Sequence, residues 1–310
     1  THELVAEEAI KLMDPKPTFC SHRISSQPGM MERAGTAVLH ARLMPIIKSF
    51  IDNLKSLSQK ELNSVRLTMI GGDAKPIDLD EAVIRAANTV GSGPAATSWF
   101  GAKATDEQSA LVVDVGGTTT DIALIRNGEP LLSNEGSTIG NWHTHVNAVE
   151  METFGIGGDS LVQIDKSGKI LVGPERVQPL ATSTGIPDPE LWLGEDIKCK
   201  CLMTQGNLSK EESEGNAILQ YLSLNGPTSP TELVEKLEVS EFTLERNTKE
   251  LIFSRQVMES GFTPTDALHV LGQLDIGDAK QAEKGAQVLA KLRNQNVQEF
   301  CEEILRSVRL

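Results

Sequence analysis

The stretch Asp114-Val115-Gly116-Gly117-Thr118-Thr119-Thr120-Asp121 concentrates donors, acids and Cβ-free backbone in one short segment. The two glycines let an anion approach main-chain N–H groups, and the three threonines add hydroxyl donors. An N–H to phosphate bond is charge-assisted and worth roughly 1.5–3 kcal/mol in a favourable site, so a few converging donors can hold a phosphate. Asp114 and Asp121 flank the tip and can position a hydrated Mg²⁺, an ion that keeps several waters and takes one or two carboxylates. The competing account is a Gly-Gly hairpin whose threonines serve only β-propensity. The whole string, acid-x-Gly-Gly-Thr-x-Thr-Asp between apolar runs, favours phosphate. It is not a Walker loop, because no Gly-Lys-Ser/Thr follows. Nor is it a dinucleotide fingerprint, because a strand comes next where a helix is required.

Other residues could contribute. Ser92 and Gly93 precede Pro94 where a helix begins, a position that favours anions. Gly157-Gly158-Asp159 forms a second glycine turn ending in an acid, and Asp73 follows Gly71-Gly72. Asp73 and Asp159 are candidate catalytic groups that could coordinate Mg²⁺ or polarise water, with helix capping as the alternative. His143 and His145, at i and i+2 near Glu150 and Glu152, could ligate a metal, although surface or partner contact is the commoner role for such a pair. His22 is a similar case. Cys199-Lys200-Cys201 lacks the spacing of a zinc half-site, and the four cysteines are too scattered for a disulfide framework, so reduced thiols are expected.

The elements that must position these groups follow from pattern. Apart from the polar loop Ser21 to Gly29, the first 62 residues read as helical, with Pro45 a kink site. "SVRLTMIGG" reads as a short buried strand and residues 80–88 as a helix. "ALVVDV" and "DIALIRNGEPLL" are apolar strands around the glycine turn, and Asn127-Gly128 marks a hairpin. "SLVQIDKSGKILVGP" repeats that device. From Glu211 onward the chain reads as helical and charged. The segment from Gly215 to Ala267 has winged-helix rhythm, with one helix ending at Asn225-Gly226, a second capped by Thr231 and a third by Ser240. Glu232, Glu235, Glu238, Glu241 and Glu245 surround the single Lys236 there, so that surface would repel DNA and fits an interaction or spacer module better.

Bulk composition agrees. With 29 Lys and Arg against 43 Asp and Glu, the formal charge of -14 argues against general nucleic-acid binding. The 310 residues at 39% hydrophobic content suit two packed domains. No apolar run is long enough for a bilayer, and no basic leader precedes an apolar segment, so a cytoplasmic location is the default expectation. Thr1 stands where an initiator Met is expected, which points to a cut or processed end.

The strand-Asp-x-Gly-Gly-x-Thr-strand form resembles the second phosphate loop of actin-like ATPases. "SHRISSQPGMMERAGTAVLHARLMP", "GGDAKPIDLDEAVIRAANTVGSGPAAT", "DVGGTTTDIALIRNG", "FGIGGDSLVQIDKSGKILVGP" and "TPTDALHVLGQLD" occur in the order seen in the hydantoinase/oxoprolinase family. In detail the chain departs from that family. It has His40-Ala41-Arg42 where Asn-Ala-Tyr is usual, and "ERVQPLATSTGIPDPELW" where a Gly- and Pro-rich run with Cys-Tyr is usual.

The resemblance implies an α/β (mixed α+β) fold, an actin-like, ribonuclease H-like lobe with a helical, winged-helix-like insertion. It implies the helical end of lobe I and the start of the core sheet over 1–70, and the lobe II core with the phosphate loop over 71–181. The insertion would occupy 182–261 and a helical return 262–310, a fragment stopping before the adenosine motif. ATP would be held by Asp114, Gly116 to Asp121, Gly157 to Asp159, Ser92 and Gly93, with Mg²⁺ bound through water to Asp114 and Asp121. The implied chemistry is phosphorylation of a cyclic amide oxygen, with a B-type partner subunit or a homo-oligomer and no membrane or nucleic-acid partner. A non-catalytic ATP-sensing or assembly protein and an acetone-carboxylase-like subunit are the alternatives.

Overall fold

A computed structural model describes residues 2–14, 18–25, 27–61, 65–133, 136–139, 142–194, 199–206 and 213–308. The expected strand start at Ser64 and helical start at Glu211 lie outside the described residues. The chain is mixed α/β and divides into two units, Thr1–Asp114 with Asp121–Thr153, and Val115–Thr120 with Phe154–Leu310.

The first unit opens with helices α1 (His2–Met13) and α2 (Met30–Glu61), and α2 runs through Pro45 as one helix. Strands β1 (Thr68–Ile70) and β2 (Pro76–Asp78) pair antiparallel with Met69 opposite Ile77. The buried strand expected here is therefore a three-residue, partly exposed arm of a hairpin. The helix expected over 80–88 is α3 (Leu79–Ile84), capped by Asp78, after which Ala86–Thr89 tightens into a 3₁₀ turn. Helix α4 (Ser92–Lys103) follows. Next come β3 (Ser109–Val115), β4 (Thr120–Arg126) and β5 (Glu129–Pro130), then β6 (Ser137–Ile139), β7 (Trp142–Thr144) and β8 (Met151–Phe154). Strand order is β3-β4-β5 with β8 also on β4. Asn127 and Gly128 have φ of 55° and 72°, the left-handed pair that a tight β4–β5 turn requires.

The second unit contains β9 (Ser160–Ile164), β10 (Ile170–Arg176), β11 (Gln178–Pro179), α5 (Pro189–Trp192), β12 (Lys200–Thr204), α6 (Ala217–Asn225), α7 (Pro230–Leu237), α8 (Glu241–Phe253), β13 (Val257–Gly261), α9 (Pro264–Val270), α10 (Ala279–Leu292) and α11 (Val297–Val308). β9 and β10 form the expected Ser-Gly hairpin, and β13 lies between β11, parallel, and β12, antiparallel. Val162, Ile164, Leu180, Phe262, Leu289 and Phe300 form its main core. Leu202, Leu219, Leu222, Leu233, Leu244 and Val257 form a second core, in which α6, α7 and α8 close over β12 and β13. α6 ends at Asn225 with Gly226 beyond it, and Ser240 caps α8, both as expected. Ser229, not Thr231, caps α7, because Pro230 occupies the first helical position and needs no N–H there. No helix among the described residues is long and apolar enough to cross a membrane.

Candidate functional site

Within the second unit the glycine turn is clamped by two other segments. Gly158 N–H donates to Gly116 O and Asp159 N–H to Gly117 O, each at 2.9 Å. Gly157 packs so tightly that a Cβ there would lie 2.5 Å from both turn carbonyl oxygens. Thr120 Oγ1 donates to Ile156 O at 2.7 Å. Behind this pair stands the start of α9, where Thr265 donates to Gly158 O through its N–H and its hydroxyl, at 2.9 and 2.8 Å. Three motifs separated in sequence thus meet in one place. Gly116, Gly117, Thr120, Gly157, Gly158 and Asp159 are brought together.

The donor inventory differs from the expectation. Gly116 N–H is spent on Thr119 O at 2.9 Å, closing the turn, and the Thr120 hydroxyl is spent on Ile156. Among the described residues, the N–H groups of Gly117 and Thr118 have no hydrogen-bond partner. They can receive an anion, together with the exposed Thr118 side chain. Asp159 is not a helix cap: it leads into β9, and its Oδ2 accepts from Arg176 Nε at 3.1 Å and Nη2 at 2.9 Å. A Cβ on Gly117 would stand 2.3 Å from that oxygen. The acid therefore sits directly against the turn with its charge matched by Arg176, an arrangement that tolerates an incoming anion better than a bare carboxylate would.

The first unit holds the other candidates. Asp114 lies in β3 and Asp121 in β4, both half-buried, and Asp121 Oδ1 accepts from Thr153 Oγ1 at 2.6 Å. Ser92 is the first residue of α4. Its N-cap, Gly91, is left-handed at φ 70° and contributes no side-chain cap, so the first-turn N–H groups meet no capping oxygen. Asp73 is likewise no helix cap: its Oδ1 accepts from Lys75 N–H at 3.2 Å inside the β1–β2 turn.

Among the described residues, His143 and His145 belong to no group of three with metal-ligand proximity. His143 is exposed on β7, near Thr138 Oγ1 at 3.4 Å, while His145 lies beyond the strand and donates its main-chain N–H to Thr36 Oγ1. Among the described residues, the group with metal-ligand proximity is Glu3, Cys20 and His22, whose ligand atoms fall within 4.8 Å. Its donors are already committed. Glu3 accepts from Ser21, from His22 and from Arg33 at 2.8 Å, and these bonds hold its carboxyl down to about 2. Burial pushes the Cys20 thiol up, and the thiol contacts Glu7. This is a hydrogen-bonded brace between α1 and the loop before α2.

Three residues that sequence reasoning passed over complete the second unit's assembly. Arg176 had no local signal, since only the β9–β10 register places it opposite Ser160. Thr265 and Asp266 lie in the Thr-Pro-Thr-Asp-Ala motif, which was noticed but given no role. Asp266 is fully buried and accepts from the N–H groups of Leu180, Ala181 and Thr263 and from the Thr263 hydroxyl. Burial pushes its carboxyl up to about 6 against the pull of those donors. All four cysteines are buried and free, as expected.

The mixed α/β fold is shared with the nucleotide-free structure of acetone carboxylase, with a TM-score of 0.59 at 16% identity, over 98% of this chain and 35% of that one. The hydantoinase/oxoprolinase family model matches residues 33–309, and the chain belongs to that family. Caprolactamase subunit alpha of Pseudomonas jessenii is 30% identical over 182 residues, covering 56% of this chain and 25% of that protein. The acetophenone carboxylase gamma subunit of Aromatoleum aromaticum is 29% identical over 163 residues, covering 51% of this chain and 22% of that protein. The chain thus matches about a quarter of the length of these curated relatives.

Proposed function

We propose that this chain is the part of an ATP-dependent enzyme that carries its second phosphate turn, and that the complete enzyme phosphorylates and opens a cyclic amide of the hydantoin or 5-oxoproline type. The observation that carries the proposal is the clamped turn, in which Gly117 and Thr118 keep open N–H groups while Gly157 and Gly158 lie too close for side chains. Glycines lacking Cβ at a fixed turn are what close approach of a phosphate demands. The relatives support the same direction, since one is a caprolactamase subunit and the solved neighbour is an ATP-dependent acetone carboxylase.

In this proposal Gly117 and Thr118 bind phosphate oxygens, and Arg176 keeps the Asp159 charge from repelling them. Asp114 and Asp121 hold Mg²⁺ through water, while Ser92 and Gly93 present helix-terminal N–H groups to an anion. Asp73 and Asp159 are the candidate acids and bases. ATP would supply a phosphoryl group to the lactam oxygen, so that water adds to the activated ring carbon, the C–N bond breaks with the nitrogen leaving as an amine, and a second water releases phosphate. The fixed donors stabilise charge on the transferring phosphoryl without needing to reorganise. Both curated relatives are named as subunits, which supports a partner subunit here.

The carboxylase relatives favour a second reading, in which the phosphorylated oxygen is that of an enolate and bicarbonate is the other substrate. ATP turnover by the complete protein with its partner separates the two. Stimulation by hydantoin, 5-oxoproline or caprolactam is expected, and stimulation only by ketone plus bicarbonate would transfer the assignment to a carboxylase. Absence of turnover with every lactam removes the first proposal. A Thr118→Ala, Asp121→Ala double variant should abolish nucleotide binding in the complete protein, and unchanged affinity would take these residues out of the site.

A further inference from the structure

A cleft of about 800 Å³ opens within the second unit between the β9–β10 hairpin, β12, β13 and helices α7 and α8. That volume falls in the range of small-molecule sites. None of the phosphate-turn residues line it. Its walls are apolar: Leu171, Leu202, Val234, Leu244, Ile252 and Phe253. Phe253 is 92% exposed at the C-terminus of α8, which is a costly place for a phenyl ring unless something covers it.

Among the described residues, the charged groups in the cleft do not balance. Lys200 Nζ contacts Glu175 Oε2 closely and lies 3.4 Å from both oxygens of Glu259, so one ammonium serves two carboxylates. The other cations among the described residues that line the cleft are already matched, Lys249 to Glu245 at 2.6 Å and Arg176 to Asp159 at 2.9 Å. Asp165 spends Oδ1 on Ser167 and the Lys169 N–H. Glu241 adds another carboxylate, with no ion-pair partner among the described residues. Burial pushes the Glu259 carboxyl up, the response of an acid short of compensating charge in a partly desolvated place. An anionic ligand would add a further uncompensated charge, and a neutral one would leave the excess acid as it is. A cation would settle it.

We propose that this cleft binds a small amphipathic cation, an aromatic or branched aliphatic body bearing a protonated amine or guanidine that sits on Glu259. The site shares Arg176 with the nucleotide assignment but does not depend on that assignment.

The test is a titration of the methyl-labelled chain, followed by methyl NMR, with phenethylammonium, phenethyl alcohol and hydrocinnamate as matched cationic, neutral and anionic probes. The amine is expected to shift the methyl signals of Leu171, Leu202, Val234, Leu244 and Ile252. It should bind at least about tenfold tighter than the alcohol, the equivalent of one modest charge contact, and hydrocinnamate should bind more weakly still. Glu259→Gln should erase the preference for amine over alcohol while leaving the alcohol's shifts in place. No shift at those methyls with the amine overturns the proposal. So does amine binding no tighter than the alcohol or the anion, or an amine affinity unchanged by Glu259→Gln. The three-probe comparison on the unaltered chain decides the matter even if the variant does not fold.

Discussion

Replacing Gly157 by Ala tests the clamped turn most directly. Gly157 does not have a positive φ, so what it supplies is space rather than torsional freedom. Its added methyl would lie 2.5 Å from the carbonyl oxygens of Gly116 and Gly117 and 2.6 Å from the carbonyl carbon of Gly117. All three obstacles are backbone, so no rotamer change relieves them. The turn and the 156–160 segment must separate, which stretches two 2.9 Å bonds, Gly158 N–H to Gly116 O and Asp159 N–H to Gly117 O. Two backbone hydrogen bonds at about 0.5–1.5 kcal/mol each, plus about 1–3 kcal/mol for overpacking, give a loss of roughly 2–6 kcal/mol. Urea denaturation of the 310-residue chain, monitored by far-UV circular dichroism, reads this as a lower midpoint at constant slope. Amide NMR should show the largest shifts at Gly116, Gly117, Gly158 and Asp159. A change below about 1 kcal/mol, with those amides unmoved, would refute the packing argument.

Three further outcomes follow from the same structure. Burial raises the Asp266 carboxyl to about 6, above the usual aspartate value of about 3.9, so the native state holds its proton more tightly than the unfolded chain. The stability this group contributes is complete below about pH 4 and fades as pH rises through about 6. The advantage of the native chain over Asp266→Asn should therefore shrink by roughly 2–3 kcal/mol between about pH 4 and pH 7 in urea denaturation, and an advantage growing with pH would show that the four donors outweigh burial. The Cys201 and Cys301 thiols are pushed up to about 12 and those of Cys20 and Cys199 are also raised, so a chromogenic disulfide reagent at about pH 8 should find no fast-reacting thiol until denaturant exposes all four. Ser240→Ala removes the oxygen that accepts from Thr243 N–H at 3.2 Å, and should cost about 1 kcal/mol in the same denaturation experiment.

What the sequence disclosed, and what it hid, divides by the range of the determining contact. The Asn127-Gly128 turn and the Ser240 cap are set by torsions and hydrogen bonds within a few residues, and each was legible from residue type. β12 was not. Its Cys201, Leu202 and Met203 are all buried, so it shows none of the alternation that marks a half-exposed strand, and its partner β13 is more than fifty residues away. The helix-capping alternative weighed for Asp159 fails because the residues after it enter the β9–β10 hairpin, as the Ser-Gly turn indicated, and its register is held from outside the segment. Ser160 to Ile164 is a run with four of its five residues buried, and Val162 N–H bonds to Phe262 O, a tertiary contact that local acid-and-glycine chemistry does not announce. Within the site, the two glycine turns were legible because glycine is required where backbones touch. Arg176 was not, because its role depends on strand register alone.

The turn's donor inventory sets a ceiling on what the second unit can do with nucleotide by itself. With Gly116 N–H and the Thr120 hydroxyl spent internally, Gly117 N–H, Thr118 N–H and the Thr118 hydroxyl remain for phosphate. Three charge-assisted bonds at about 1.5–3 kcal/mol give a gross gain of roughly 5–9 kcal/mol. Association costs about 4–15 kcal/mol in lost translation and rotation, so the net affinity falls at or below the millimolar range. Arg176 keeps three further N–H donors after bonding Asp159 through Nε and Nη2, but its single charge is then shared between Asp159 and any phosphate it reaches. With this turn as the principal phosphate contact, isothermal calorimetry of residues 1–310 with Mg-ATP should show no saturable binding below about 0.1 millimolar. A low-micromolar dissociation constant would mean that the chain holds nucleotide through donors other than these, and the second-unit turn would lose its place as the principal phosphate contact.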